Sequence, residues 1–380
     1  MWIEGVPGHW ILGVGCIAMV AYARLIWHWG RDWKPAKTLS GQANPEQDFR
    51  LGLLVACRNE AQRIQPLLEG LSRQDSLKIR DIWFVDDHSE DDTLKVIRQW
   101  AALQKPRGLS VVAMSAGEST GKKAALLTGM QAMPESITHV LLTDADARVD
   151  AHWMAGWHQI LRQHPETALF IGEVQIESGG SWRGAVERLE FSVMMAWAAS
   201  TIHRGQPANA SGANLLVRRD IWASANLMAD VASGDDVFLA QHLAQIGQTV
   251  RWNHALETRV KVDPTPNGFD LIQQRARWGR KSNRYPNRAA QYTALVIVTM
   301  NLWMILGVAS LSMAWPILVL KVACDGWLTR RIMQTRWRAL DWLVFSLLYP
   351  ILVLSSVVLA WGFPRQIHWK NRPLNPARER

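Results

Sequence analysis

An uncharged run from Gln291 to Leu320 and another from Leu343 to Phe363 constrain this chain more than any other feature. A helix crossing a bilayer core takes roughly 20 apolar residues, and both runs are long enough. A third run, Trp10 to Ala23, is also uncharged. It reaches membrane length once His9 and Leu25 to Trp27 are added and Arg24 snorkels to the interface. A cleaved signal peptide is one rival for this first run. It needs basic residues before the apolar core and a small-residue pattern closing it, and neither is present. A soluble core helix is the other rival.

The run from Gln291 exceeds one untilted span. Ser312 to Pro316 can break it into a hairpin whose second arm continues through Lys321, Cys324 and Asp325 to Leu328, and Pro350 predicts a kink in the last run. The total is therefore three or four spans. Trp10, Trp27, Trp342 and Trp361 sit at run edges, where amphipathic rings anchor at the interface. Arg24, Arg31, Lys34 and Lys37 follow the first run, whereas Glu4 is the one charge before it. The positive-inside rule then puts the amino terminus outside and the central region in the cytoplasm. The reading is an integral membrane protein, of the bacterial inner-membrane type.

The chain has 380 residues and a net charge of +9. Its basic residues gather beside the apolar runs, at Arg24 to Lys37, Arg275 to Arg288 and Arg330 to Arg338. That is membrane-flanking charge and excludes a nucleic-acid stripe. Three cysteines lie far apart in apolar surroundings, as small buried hydrophobes do.

Between the first run and Gln291 lies an α/β pattern. Leu51 to Cys57, Ile82 to Val85, Leu109 to Met114 and Val140 to Thr143 read as buried strands. Glu60 to Gln74, Asp92 to Leu103 and Gly121 to Met130 read as the helices between them. Such alternation predicts right-handed crossovers and a mainly parallel sheet, whose ligands bind at the carboxyl ends of the strands. The expected segments are a transmembrane helix at 8–28, a cytoplasmic domain at 48–285, two or three helices at 291–363 and a basic tail at 364–380.

Acidic motifs fall at those strand ends. Asp86 and Asp87 close the second strand; Asp91 and Asp92 look like turn and helix-capping residues. Asp144-Ala145-Asp146 follows the fourth strand, and aspartates two apart on extended backbone project to one side. A hard divalent cation takes such oxygens together with substrate phosphates. Gly121-Lys122 opens a helix, a position that favours anions. Gly234-Asp235-Asp236 precedes an apolar helix, Val237 to Leu243, where capping and a catalytic acid are compatible roles. Ser211-Gly212-Ala213-Asn214 precedes a strand pattern at Leu215 to Val217. Gln274-Arg275-Ala276-Arg277-Trp278 closes the series before the membrane, where basic residues and Trp also serve as anchors.

In this order, from Leu53-Leu54-Val55-Ala56-Cys57-Arg58-Asn59-Glu60 to Trp278, the region resembles the membrane-bound family 2 glycosyltransferases, which include cellulose and poly-N-acetylglucosamine synthases and ceramide glucosyltransferases. The resemblance implies a GT-A-type nucleotide-sugar-binding domain with α-helical transmembrane segments at both ends. It implies that Arg58, Asn59, Glu60, Asp86 and Asp87 hold the nucleoside. It puts Gly121 and Lys122 at the diphosphate, with Asp144 and Asp146 holding Mg²⁺ or Mn²⁺. It makes Asp236 the general base with Asp235 beside it, and Ser211, Gly212 and Asn214 the acceptor side. Gln274 completes the motif in which Arg277 approaches the diphosphate and Trp278 stacks near the acceptor.

The expected reaction is inverting transfer from a nucleotide-diphosphate sugar, a UDP-sugar first of all, to a lipid or glycan acceptor held at the membrane. A processive polysaccharide synthase subunit is the alternative, as is a non-catalytic membrane protein that keeps the fold. The latter should lack an acid in these motifs, and none is lacking. Redox nucleotide binding is disfavoured because no Gly-x-Gly-x-x-Gly follows the first strand.

Overall fold

The computed structural model describes residues 8–40, 49–74, 81–118, 120–224, 234–310, 315–334, 338–369 and 372–373. The start of the expected domain at 48 and most of the basic tail lie outside these residues. The chain divides into two compact units, and the division cuts across the expected 48–285 domain: 178–200 and 264–369 group with 1–34, while 35–177 and 201–263 form the other unit with 370–380. Helix α1 (Gly8–Asp32) opens the first of these.

The α/β unit starts with β1 (Leu51–Cys57), α2 (Gln65–Ser72), β2 (Asp81–Asp86), α3 (Thr93–Gln104), β3 (Ser110–Ser115), α4 (Lys122–Ala132) and β4 (His139–Asp144). It continues through β5 (Arg148–Val149), α5 (Trp153–Gln163), β6 (Leu169–Gly172) and β7 (Val174–Ile176). The chain then leaves for α6 (Trp182–His203). It returns with β8 (Asn214–Arg218), α7 (Arg219–Ser224), α8 (Asp235–Gln245), β9 (Val250–Asn253) and β10 (Val260–Val262). The seven-stranded sheet has the order β3-β2-β1-β4-β8-β6-β9, and β5-β10-β7 form a small second sheet.

Strand β1 pairs in parallel with both β2 and β4. Its position in the sheet explains why Leu53, Leu54 and Val55 are all fully buried and why its sequence shows no polar alternation. Strand β8 runs antiparallel to β4 and β6. Register then sets the site: Cys57 lies opposite Asp86, and Ala56 opposite Asp144. The order reverses direction between β1 and β4, which is the switch point where open α/β sheets bind ligands.

Two local expectations are corrected. The helix expected from Glu60 begins only at Gln65, with Pro66 in its first turn. The Glu60 carbonyl instead accepts the Arg63 and Ile64 N–H groups in a turn. Extended backbone also stops at Asp144: the Ala147 N–H donates to the Asp144 carbonyl at 3.1 Å, so Ala145 and Asp146 form a turn and the two aspartates reach different partners.

The helical unit contains α1, most of α6, α9 (Gly268–Gly279), α10 (Arg288–Ser310), α11 (Trp315–Met333) and α12 (Ala339–Gly362). Stretches of α1, α10 and α12 are long and apolar enough to cross a membrane: Leu12–Asp32, Arg288–Leu306 and Ala339–Gly362. Pro350 does lie inside α12. Helix α11 lies where the second arm of the expected hairpin falls, while most of the break expected at Ser312 to Pro316 lies outside the described residues; α11 runs parallel to α1. A Cβ at Gly15 would meet Ile317, the Tyr22 hydroxyl donates to Asp325, and Arg331 Nε donates to the Gly30 carbonyl at 3.2 Å. Arg330 and Arg331 thus come to the end of α1 that carries Arg31. At Gly30 any side chain would collide with the Trp327 ring, so glycine sets the close approach of these helices.

Inside this unit Lys321 donates to Asp325 at 2.7 Å and is fully buried. Its ammonium lies 5.8 Å from the Tyr22 ring centroid and 5.6 Å from that of Tyr349.

Candidate active site

The ends of β1 and β2 build one wall. The Asp87 N–H donates to the Cys57 carbonyl at 2.7 Å. Asp87 Oδ1 accepts the Gly121 N–H at 2.9 Å, which ties this wall to the start of α4. Asp86 is held by Ser89, whose hydroxyl and N–H both donate to its carboxylate, at 2.5 and 3.1 Å. Arg58 is buried, and its guanidinium donates to the Asp87 and His88 carbonyls at 2.8 and 2.7 Å and to Glu90 at 3.2 Å. Asn59 and His88 both adopt left-handed backbone, with φ of 50° and 56°. Non-glycine residues pay energy for that conformation and retain it where structure over-determines them. Here the Asn59 N–H donates to Ser89 and the Asn59 side chain accepts from the Glu90 N–H, so the two loops brace each other. Of the expected capping pair, Asp91 does the capping: it accepts from the Thr93 N–H and hydroxyl and from the Ala61 N–H. Asp92 is exposed and pairs loosely with Lys95, at 3.6 Å.

Across the switch point, Lys122 Nζ donates to Asp144 Oδ1 at 2.5 Å. Burial works against the lysine's charge, but Asp144, Asp235 and Asp236 outweigh it and raise its pKa, so it remains an ammonium. Asp146 pairs with Arg63 at 3.4 Å, and Arg63 also bridges to Glu60 at 2.9 Å. The Asp144 and Asp146 side chains are 38% and 37% exposed.

The third wall comes from α8. Gly234 caps it with φ 89°, a left-handed conformation that favours glycine. Asp235 is buried in the first turn. Asp236 Oδ1 accepts the Val237 N–H and Oδ2 the Gly212 N–H, both at 2.8 Å. A Cβ added at Gly212 would lie 3.3 Å from Lys122 Nζ and 3.5 Å from Asp236 Oδ2, so lysine, base candidate and loop converge on one spot. Ser211 accepts the Asn214 N–H at 3.3 Å through its carbonyl, closing the loop. The Asn214 side chain is turned away from that spot: it is fully buried and donates to the Glu173 and Thr258 carbonyls at 3.0 and 2.8 Å.

Gln274, Arg277 and Trp278 lie on α9, in the helical unit. Arg275 between them is buried and forms a two-pronged ion pair with Glu190 of α6, at 2.8 and 2.5 Å, while donating to the Gln274 side chain. Its guanidinium lies 4.3 Å from the Trp278 ring centroid. Arg63 and Ser89 brace the strand-end carboxylates, and Glu190 with Arg275 braces α9 within the helical unit; none of these roles was expected from the sequence. Glu190 had a signal, an acid inside the otherwise apolar Leu189 to Ala199; the others had none beyond proximity to a motif.

Carboxylates at the carboxyl ends of β2 and β4, a lysine at a helix start and an acid on α8 are the equipment of a GT-A nucleotide-sugar transferase. The family model for glycosyltransferase like family 2 matches residues 49–281; the chain belongs to that family and is a glycosyltransferase. Among solved structures it is similar to the mannosyltransferase PcManGT from Pyrobaculum calidifontis, in complex with GDP-Man and Mn²⁺. That likeness has a TM-score of 0.59 at 15% identity over 93% of this chain and 98% of the other, and it shows the shared fold. Mannosyl-3-phosphoglycerate synthase from Rubrobacter xylanophilus also matches, with a TM-score of 0.42 at 16% identity over 64% of this chain and 76% of the other. No curated protein sequence matches the chain.

Proposed function

We propose that the protein is a membrane-bound inverting glycosyltransferase that moves a sugar from a nucleotide-diphosphate sugar, a UDP-sugar in the first instance, to a lipid or glycan acceptor held at the membrane. The observation that carries this reading is the convergence of Asp236, Gly212 and Lys122 on one spot beside Asp144. Asp236 accepts the Val237 and Gly212 N–H groups, which hold its carboxylate in place as a base for an acceptor hydroxyl. It takes the hydroxyl proton as the acceptor oxygen attacks the anomeric carbon from the face opposite the leaving diphosphate. Lys122 offsets charge on the departing diphosphate, and the positive end of the α4 dipole favours the same anion. A single displacement inverts the anomeric carbon.

The residues also fit a divalent metal. No three His, Cys, Asp or Glu side chains gather into a cage among the described residues. Mg²⁺ and Mn²⁺ in phosphate sites typically need one or two carboxylates, with phosphates and water supplying the rest. Asp144 and Asp146 are half-open oxygen donors of that kind. Bound there, the ion would supply Lewis-acid stabilisation of the leaving diphosphate.

The deciding experiment supplies membranes containing the protein with a panel of labelled UDP- and GDP-sugars and analyses products by mass spectrometry. One donor should yield a glycosylated lipid or membrane-held glycan, lost in Asp236→Asn. A long water-soluble polymer would replace this reading with the processive synthase, and transfer from no donor would remove it.

A further inference from the structure

Lys122 stands where its charge opposes an arriving metal ion. Its ammonium is 2.5 Å from Asp144 Oδ1, an oxygen of a proposed metal ligand, and Asp235 and Asp236 lie within its electrostatic reach. Two cations sharing one carboxylate oxygen repel at short range. A divalent ion arriving alone must therefore displace the ammonium while giving it nothing in exchange. A nucleoside diphosphate changes this, because its phosphate oxygens offer the lysine a new partner at the same helix start. The lysine can make the exchange. It sits on a flexible four-carbon stem, whereas the backbone it hangs from is fixed by the Gly121 N–H bond to Asp87. Asp146 has its own cation, Arg63, at a looser 3.4 Å, so the tight competitor for the metal is Lys122.

We propose that Lys122 is an electrostatic placeholder: it occupies Asp144 in the nucleotide-free protein and yields it only when a diphosphate draws the ammonium away, so that metal and nucleotide bind as a mutually dependent pair. This rests on the reading of Asp144 and Asp146 as the metal pair. Coupling must be reciprocal, each ligand tightening the other by the same factor, commonly about 5- to 150-fold. The placeholder also predicts effects of opposite sign on the two ligands. Removing the lysine's charge helps the metal and harms the nucleotide, whereas a lysine that serves only as a phosphate contact would leave metal binding in the absence of nucleotide untouched.

The test titrates the full chain in detergent with Mn²⁺, reading free ion by electron paramagnetic resonance, alone and with saturating UDP or GDP. In the parent protein nucleotide should tighten Mn²⁺ within the range above. In Lys122→Met, Mn²⁺ alone should bind about tenfold tighter, nucleotide should bind more weakly, and the coupling between them should shrink. Lys122→Arg keeps the charge and should keep Mn²⁺ alone weak. The proposal is overturned if Lys122→Met leaves Mn²⁺ alone unchanged or weaker, or if the Met and Arg variants tighten it equally. Asp146→Asn separates the two failures: if it leaves Mn²⁺ binding intact, the metal pair itself is misassigned, whatever the lysine does.

Discussion

Lys122 and Lys321 are both lysines paired with an aspartate, at 2.5 and 2.7 Å, yet they belong to opposite kinds of site. Lys122, in the α/β unit, is 26% exposed and has two further acids, Asp235 and Asp236, within electrostatic reach. Lys321, in the helical unit, is fully buried, flanked by two tyrosine rings and matched to its one aspartate. The first arrangement leaves negative charge in excess at an open edge, in keeping with the proposed metal-diphosphate site. The second balances charge inside an apolar bundle, and Arg275 with Glu190 repeats that balance on α6 and α9. Unbalanced charge at a strand end signals ligand chemistry, and balanced buried charge signals assembly.

The contrast is tested most severely at Asp236. General-base assistance is worth about 10² to 10⁴ in rate, so Asp236→Asn should lower kcat by that order while UDP or GDP binding, measured at equilibrium, stays near its parent value. Weakened nucleotide binding with near-normal turnover at saturation would move this acid to the donor side. In the helical unit the effect should fall on folding. Breaking a buried ion pair by removing one partner costs about 3–5 kcal/mol. Lys321→Met should therefore lower thermal stability in detergent sharply, and Lys321→Met with Asp325→Leu should restore most of it. A double variant as unstable as the single would show that the pair is more than a matched neutralisation. Glu190→Gln leaves the buried Arg275 guanidinium without its counter-charge, so it should destabilise the helical unit by about the same 3–5 kcal/mol with nucleotide affinity unchanged.

Acid should act on the α/β unit through His139. Burial first, and then Arg218, push its pKa down to about 4 from the ordinary 6.5. The fold holds the imidazole neutral, so the unfolded chain binds the extra proton between pH 6.5 and 4. Stability is thus full above pH 6.5 and falls towards pH 4, by as much as about 3 kcal/mol. His139→Phe should flatten that slope in pH-resolved melting curves, and an unchanged slope would assign acid sensitivity elsewhere.

The sheet was legible in the sequence because β1, β2 and β4 are near-continuous apolar runs, β2 and β4 ending in aspartate. Buried parallel strands impose that pattern, and Asp86 stays buried at the end of β2 with Ser89 satisfying its carboxylate. The small sheet was not legible, because β5, β7 and β10 are two or three residues long and no periodicity survives at that length. Helix α6 was not among the expected elements; its Glu187 and Glu190 are both buried. The partner that neutralises Glu190 stands 85 residues later. Asp144-Ala145-Asp146 was located by its place in the motif order, but spacing alone assumed extended backbone where the chain turns. Lys122 was legible as a charge at a helix start; its pairing with Asp144 depends on the switch point and is a tertiary fact.

The contact between Tyr22 and Asp325 spans 303 positions, and it has a consequence for the order of events during synthesis. Helix α11 carries a lysine and an aspartate one turn apart, and such charges are costly to bury unless they are paired. Its neutral surroundings include α1, made first. At about 5–20 residues per second, roughly 15–60 s separate the emergence of the two helices. Throughout that interval α1 waits with Tyr22 uncommitted while the residues between them are made. Helix α1 is then a template for α11, and a chain lacking it should leave α11 without the Tyr22 partner of Asp325.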